Sequence, residues 1–400
     1  MLTSTFPRWE GDSEPPFVFE LCRRLGADFD ILVLAPHAPG AKTRETMSGL
    51  TVVRFRYFFE WGELLTNRGG IMANLRRHPL VYLLVPFFMM AQLLAVARLL
   101  RKETIDLIHA HWLIPQGLLA VLARALSRSK SDILCTSHGS DISALPGSVF
   151  SALQRFTLRH ADAITVVSKA MRQLVRDIGA LPEKISVLPM GIDARNLFVP
   201  DKAACRSRNE ILFVGRLVPE KGVELLVRSL PAVIAKSPET ILTVIGQGPT
   251  EIYLRQLCSE LGIAHKVGFE GAVRNELLPD YFRRTALFVL PSHAEGFGLV
   301  CAEAMACECA VVAADLPALR EMVSDHETGL LFSDNDMLAL TKCVLDLLAD
   351  DELRERLGKA GRARILTHYD WEVIAQRYRE ILHGMASNKH PSGKAQRPPF

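Results

Sequence analysis

Pro291-Ser292-His293-Ala294-Glu295-Gly296-Phe297-Gly298-Leu299-Val300-Cys301-Ala302-Glu303-Ala304-Met305-Ala306 is the stretch that decides the fold. Just before it, the apolar run Ala286 to Leu290 reads as a buried strand. A loop with an acid and two glycines follows, and then a small-residue helix that carries a second acid eight positions after the first. Carboxylates placed where a parallel strand ends and a helix begins lie where open α/β sheets bind ligands. Glycines there let a ligand approach the backbone, and a helix N-terminus offers N–H groups and positive dipole to an anion. A purely structural strand–turn–helix needs neither acid, so the stretch reads as a functional site.

Working outward, the same strand–helix rhythm recurs. Strands are predicted at 210–214, 240–245, 265–269, 310–313 and 329–332, with helices at 220–235, 249–261, 275–284, 337–349, 352–366 and 371–383. The first half shows helix 16–25, strands 29–35 and 50–55, and a mixed, helical segment 61–77. From Thr104 it too alternates, with strands 105–109, 133–137, 163–167 and 185–188 and helices 115–126, 149–159 and 169–179. Such alternation predicts parallel, doubly wound sheets. The expected architecture is α/β, with two Rossmann-like doubly wound domains facing a cleft. The first spans 1–192, a polar linker 193–209, the second 210–370, and a helix 371–384 crosses back before a disordered tail 385–400.

At 400 residues and 49% hydrophobic, the chain is long and apolar enough for two cores. Basic and acidic residues nearly balance, 47 against 44, with no basic run before the tail, so a nucleic-acid partner is not indicated. Eight scattered cysteines lack a Cys-x-x-Cys pair and read as free thiols in a reducing cytosol. The N-terminus has no signal-peptide pattern. It begins with too few apolar residues for a first strand, so the true start is expected upstream of Met1. Leu80 to Ala97 holds eighteen residues without a charge, broken by Pro86 and Gln92 and flanked by Arg76, Arg77, Arg98 and Arg101. It reads first as a core or interface helix, second as a peripheral membrane contact, which would place the protein at the inner face of the membrane, and last as a span.

Val214-Gly215-Arg216-Leu217-Val218-Pro219-Glu220-Lys221-Gly222 carries the second signal. A strand ends at Gly215, and two cations sit in one loop near a helix start, which suits a diphosphate. Gly246-Gln247-Gly248 by itself is only a tight turn. His109, His111 and His138 end two strands of the first half. A polar wall for a hydroxylated ligand fits them better than a metal, because no supporting ligand spacing accompanies them. Asp28-Phe29-Asp30 is a turn and Asp334-Asn335-Asp336 a helix cap, so neither Asp-x-Asp is taken as a metal site.

Together these motifs resemble the retaining nucleotide-sugar glycosyltransferases of the GT-B fold, specifically glycosyltransferase family four. The resemblance runs from Phe6-Pro7 to about Trp371. Its most specific part is the Glu295 and Glu303 spacing beside Gly296-Phe297-Gly298, with Glu321 and Thr328-Gly329 downstream. It implies that Arg216 and Lys221 hold the donor diphosphate and neutralise the leaving group, so that no metal or other cofactor is needed. It places Glu303 at the ribose, Glu295 at the sugar hydroxyls, and the backbone of Gly296, Phe297, Gly298 and Leu299 against sugar and phosphate. His138 is the first-half histidine beside the transferred sugar, and Gly11 belongs to the N-terminal loop. The chain departs from the pattern at Cys307-Glu308-Cys309 and at Leu316-Pro317, where glycines are usual. The expected function is transfer of a hexose from a nucleotide-diphosphate sugar to a lipid-linked or saccharide acceptor. The alternatives are a nucleotide-sugar epimerase of the same fold and a non-catalytic sugar-binding or scaffold protein.

Overall fold

The computed structural model describes residues 1–9, 12, 17–66, 71, 74–75, 78–143, 147–201 and 205–389. The chain divides into two units, Met1–Leu188 with the segment from Ile374 onward, and Pro189–Val373.

In the first unit, β1 (Leu32–Pro36), β2 (Arg44–Met47) and β3 (Leu50–Phe55) form one sheet in the order β1-β3-β2. Strands β4 (Leu107–His111), β5 (Asp132–Ser137), β6 (Ala163–Val166) and β7 (Ile185–Val187) form a parallel sheet in chain order. Leu2 joins the two sheets, bridging in parallel to Leu34 on one side and to Ala110 on the other. Its N–H donates to the His109 carbonyl at 2.8 Å, and its own carbonyl accepts from His111 N–H at 2.9 Å. Leu2 thus occupies the position of a strand between β1 and β4. β2 was not expected from sequence, because Arg44-Glu45-Thr46-Met47 has little apolar alternation and forms an antiparallel edge, half in solvent.

The second unit holds one parallel six-stranded sheet, β8 (Glu210–Val214), β9 (Ile241–Ile245), β10 (Val267–Gly271), β11 (Leu287–Leu290), β12 (Ala310–Ala314) and β13 (Leu330–Phe332). Their order is β10-β9-β8-β11-β12-β13. This is the doubly wound order that reverses direction beside its first strand. β8, β11 and β12 are buried along their whole length, as continuous apolar strands covered on both faces must be. The helix Val223–Lys236 turns Leu226, Val227, Leu230 and Val233 inward at helical spacing, into a core shared with Leu340, Val344 and Leu347 of the helix Met337–Ala349.

Four sequence expectations change. The segment 61–77 is helical only in part where it is described: it opens with a short 3₁₀ turn, Glu60–Gly62, continues without helix through Thr66, and is helical again at Ile71, Asn74 and Leu75. The apolar stretch is helical as expected but longer, a 3₁₀ helix Pro79–Leu84 running into the α-helix Val85–Lys102. The polar segment 193–209 is anchored rather than free, since Phe198 is buried and Arg362 donates to the carbonyls of Ala194 and Phe198. The last helix, Trp371–Lys389, passes the expected end at 384 because Met385 and Ala386 continue it beyond Gly384. The remainder of the expected tail lies outside the described residues.

Candidate active site

In the second unit the strand order reverses between β8 and β11, so the loops after these two strands face one another at the carboxyl edge of the sheet. The β8 loop carries Gly215, Arg216 and Lys221, and the β11 loop carries Glu295 to Gly298. Backbone contact locks them together: His293 N–H donates to the Glu220 carbonyl at 2.9 Å. Gly222 has φ +63°, and a Cβ there would lie 1.9 Å from the Pro291 carbonyl oxygen, so only glycine fits. Leu217 N–H reaches the Gln247 carbonyl at 3.0 Å, which ties in the glycine turn after β9.

Side chains complete the constellation. Lys221 Nζ lies 2.5 Å from Glu295 Oε1, and Ser292 Oγ donates to the same oxygen at 2.8 Å. Arg216 is exposed, and among the described residues its guanidinium has no partner. The helix Leu299–Ala306 begins directly after this loop. Its N-cap is Gly298, which has no side chain to occupy the first-turn N–H groups. Gly298 sits at φ +88°, and a Cβ would fall 2.5 Å from Leu319 Cδ2. An arginine with no partner among the described residues, a lysine on a carboxylate and uncapped N–H groups together suit a polyanion.

Four residues into that helix, Glu303 is buried, and burial alone pushes its carboxyl up to about 8. Among the described residues no protein group donates to it, and a buried polar group without a partner is costly. Phe297 is buried against Tyr369, ring centroids 5.7 Å apart, which fixes the loop without touching its polar side.

The first unit looks different. His138 lies at the end of β5, wrapped by Phe17, Trp112 and His111. Its Nε2 is 3.1 Å from His111 Nδ1, and the two rings stack with centroids 5.3 Å apart. His109 stacks on His111 in turn and bonds Thr136 Oγ1 at 2.7 Å through Nε2. Burial pushes His138 down to about 3 and the other two well below their ordinary range, so the column is neutral. Among the described residues His138 Nδ1 and His111 Nε2 have no partner. The three rings lie in a stack rather than around a point, and among the described residues no three His, Cys, Asp or Glu side chains are grouped to hold a metal ion. Gly11 lies outside the described residues.

Comparisons with known proteins identify the family. The family "Glycosyltransferase Family 4" matches residues 16–196, and "Glycosyl transferases group 1" matches residues 199–364. A GDP-mannose-dependent alpha-(1-6)-phosphatidylinositol monomannoside mannosyltransferase of Mycolicibacterium smegmatis is 32% identical over 305 residues, covering 72% of this chain and 78% of that protein. The chain belongs to the group 1 glycosyltransferases. A similarly named mannosyltransferase of Corynebacterium glutamicum, acting on the monoacylated lipid, is 30% identical over 72% of this chain and 79% of its own length. Sucrose-phosphate synthase from Thermosynechococcus elongatus has the same GT-B fold, with a TM-score of 0.75 at 24% identity over 93% of both chains.

The chain is thus a glycosyltransferase that uses nucleotide sugars, which removes the scaffold alternative. Within this glycosyltransferase the structure joins Lys221 directly to Glu295 and places Arg216 on the same loop as Lys221, while Glu303 stands apart as a buried, unpartnered acid. The sequence reading missed Ser292, whose hydroxyl orients Glu295, and Asp141, whose buried carboxylate ties the loop after β5 by accepting from Leu113 N, Ser137 Oγ and Gly139 N. It also missed the pairing of His293 with Asp334 at 2.7 Å. Asp141 stands three residues beyond His138, and Ser292 three before Glu295. Short side chains at that spacing were the available signal.

Proposed function

We propose that this glycosyltransferase moves mannose from GDP-mannose to a lipid-linked glycan acceptor, with retention of anomeric configuration and without a metal. The observation that carries the donor side is the pairing of Lys221 with Glu295 beside an unpartnered Arg216, at the reversal of the strand order. The donor sugar and the lipid acceptor are taken from the names of relatives 30–32% identical to this chain.

In this reading the bond from sugar C1 to the diphosphate oxygen breaks as a new bond forms from C1 to an acceptor hydroxyl. Arg216 binds two phosphate oxygens in a fork, Lys221 adds a second charge, and the N–H groups after Gly298 complete the cradle. The acceptor proton passes to the leaving phosphate oxygen on the same face of the sugar, which preserves configuration and needs no carboxylate as nucleophile. Glu295 holds Lys221 and meets the sugar hydroxyls, and the backbone of Gly215 and of Gly296 to Leu299 gives the donor room. Glu303 accepts from the ribose hydroxyls, and His138, held neutral, hydrogen-bonds the transferred sugar. Residues 80–97 make a peripheral contact with the membrane that bears the acceptor, on its cytoplasmic face.

The test is incubation of the full chain with GDP-mannose and a phosphatidylinositol mannoside, followed by NMR of the new linkage. An α-linked product formed at an EDTA-insensitive rate is expected. A β-linked product, abolition by EDTA, or donor consumption without acceptor overturns this reading.

A further inference from the structure

The 3₁₀ helix Pro79–Leu84 and the α-helix Val85–Lys102 that continues it are apolar on both faces. Val81, Phe88, Gln92, Val96 and Ala97 face the interior, with Phe88 packed on Phe55 and Tyr57 at 5.4 and 5.3 Å. The outward stripe Leu83, Phe87, Met90 and Leu94 is apolar where a surface helix is normally polar, and Leu80 and Leu83 are 81% and 70% exposed. Phe87 continues this stripe into a second element: its ring meets Phe58 at 5.7 Å, and Phe58 meets both Phe59 and Trp61. Phe59 and Trp61 lie parallel and are 69% and 77% exposed. One continuous apolar and aromatic surface thus links the loop after β3 to the helix, far more than scattered exposure explains.

Charge says what covers it. The stripe ends, at helical spacing, in Arg98 and Arg101, with Lys102 adjacent, all three exposed. The surface as a whole holds Arg98, Arg101 and Lys102 against Glu60, which is paired with Arg56, and Glu63, which is buried on His37. Between its two parts, residues 65–79 add three arginines and no acid to the sequence, so the excess positive charge lies at and beside the helix. Exposed Trp and Tyr with leucines, bordered by cations, match the layered chemistry of an anionic bilayer: acyl chains, interface, phosphate headgroups. A protein partner would supply hydrogen bonds for polar side chains, which this stripe lacks.

We infer that the loop Phe58–Leu64 and the helix from Leu80 to Lys102 form one docking surface that lies flat in the headgroup layer of an anionic phospholipid bilayer. It does not span the bilayer, because Phe88, Gln92 and Val96 are committed to the core. This rests on the proposed lipid-linked acceptor only for its purpose; the surface itself stands on exposure and charge.

Flotation with vesicles that contain no acceptor separates the two claims. The full chain should float with phosphatidylcholine–phosphatidylglycerol vesicles, less with phosphatidylcholine alone, and release as salt rises. Brominated acyl chains should quench Trp61 emission, and the Trp61→Phe chain, which keeps the aromatic surface, should lose that quenching. The triple variant Phe59→Ser, Trp61→Ser, Leu83→Ser should stop floating yet keep its melting temperature and its turnover of donor with a deacylated, water-soluble acceptor. Arg98→Glu with Arg101→Glu should lower partition to anionic vesicles roughly tenfold or more while leaving the weak neutral-vesicle binding. Absence of wild-type flotation, or a dimer that the triple variant dissociates, overturns the inference. Failure of transfer with the soluble acceptor instead overturns the proposed function and leaves the docking surface untouched.

Discussion

The two units use related strand orders and similar strand-end loops, yet their chemistry is opposite. In the second unit the loops after β8 and β11 present charge: Arg216 free in solvent, Lys221 on Glu295, uncapped N–H groups at Gly298. In the first, the ends of β4 and β5 present a stack of neutral histidines packed among Phe17 and Trp112. The difference comes from burial. Cations left at a solvent edge stay charged and recognise an anion, whereas imidazoles sealed by aromatics cannot hold a proton and act only through neutral hydrogen bonds. Under the proposed function, one site meets the charge that leaves during reaction and the other meets hydroxyls that do not change charge.

The sharpest way to break this contrast is to remove the charge. Arg216→Ala and Lys221→Ala should each lower kcat by about 10²–10³-fold with the melting temperature little changed, the effect expected when a donor to developing negative charge is lost. Lys221→Ala also leaves Glu295 with only Ser292, so its KM for donor should rise as well. Steady-state kinetics beside circular dichroism checks both. Wild-type kcat in either variant would remove the charge-neutralising role.

Much of this was legible in the sequence because each element carried its own signal. Val214-Gly215 and Leu290-Pro291 mark strand ends, and the apolar runs before them leave only a parallel sheet as their setting. The Lys221 to Glu295 pair was not legible, since 74 positions separate the partners and only the strand order brings them together. Nor was a strand at the first residues: Leu2 lies between β1 and β4, which supply hydrogen bonds on both sides. The apolar stretch 80–97 showed its length but not its orientation. Periodicity cannot say which face is inward when both are apolar, and Phe58, Phe59 and Trp61 join the surface only through the ring contact of Phe58 with Phe87.

A second test uses Glu303, the one acid of the donor side that is buried like the histidines. Its carboxyl sits at about 8 without ligand, so near neutral pH it is mostly protonated. Hydroxyl donors from a ribose favour the ionised form, so binding should expel a proton. Donor affinity should then rise by up to about tenfold per pH unit between about pH 6 and 8 and flatten above. Isothermal titration calorimetry in buffers of different ionisation enthalpy reads that proton directly. Glu303→Gln should abolish both the release and the pH slope; a variant that still releases the proton would place its source elsewhere.

The smallest effect separates the units by the sign of their pH response. For Glu303 the folded value lies above the unfolded one near 4.5, so the unliganded fold keeps a proton that the unfolded chain has released, and its contribution to stability falls between about pH 4.5 and 8. For His109, His111 and His138 the folded values lie below the unfolded one near 6.5. The unfolded chain then takes up protons that the fold refuses, so their contribution is intact above about pH 6.5 and is lost as pH falls below it. Each histidine adds at most about 1.4 kcal/mol per pH unit below that point. Thermal unfolding from pH 8 down to pH 5 should show the loss, and His111→Phe, which keeps the ring stack but removes one titrating group, should make the acid limb shallower. An acid limb of unchanged slope would mean that His111 is protonated in the fold, and the contrast between a charged and a neutral strand-end site would not hold.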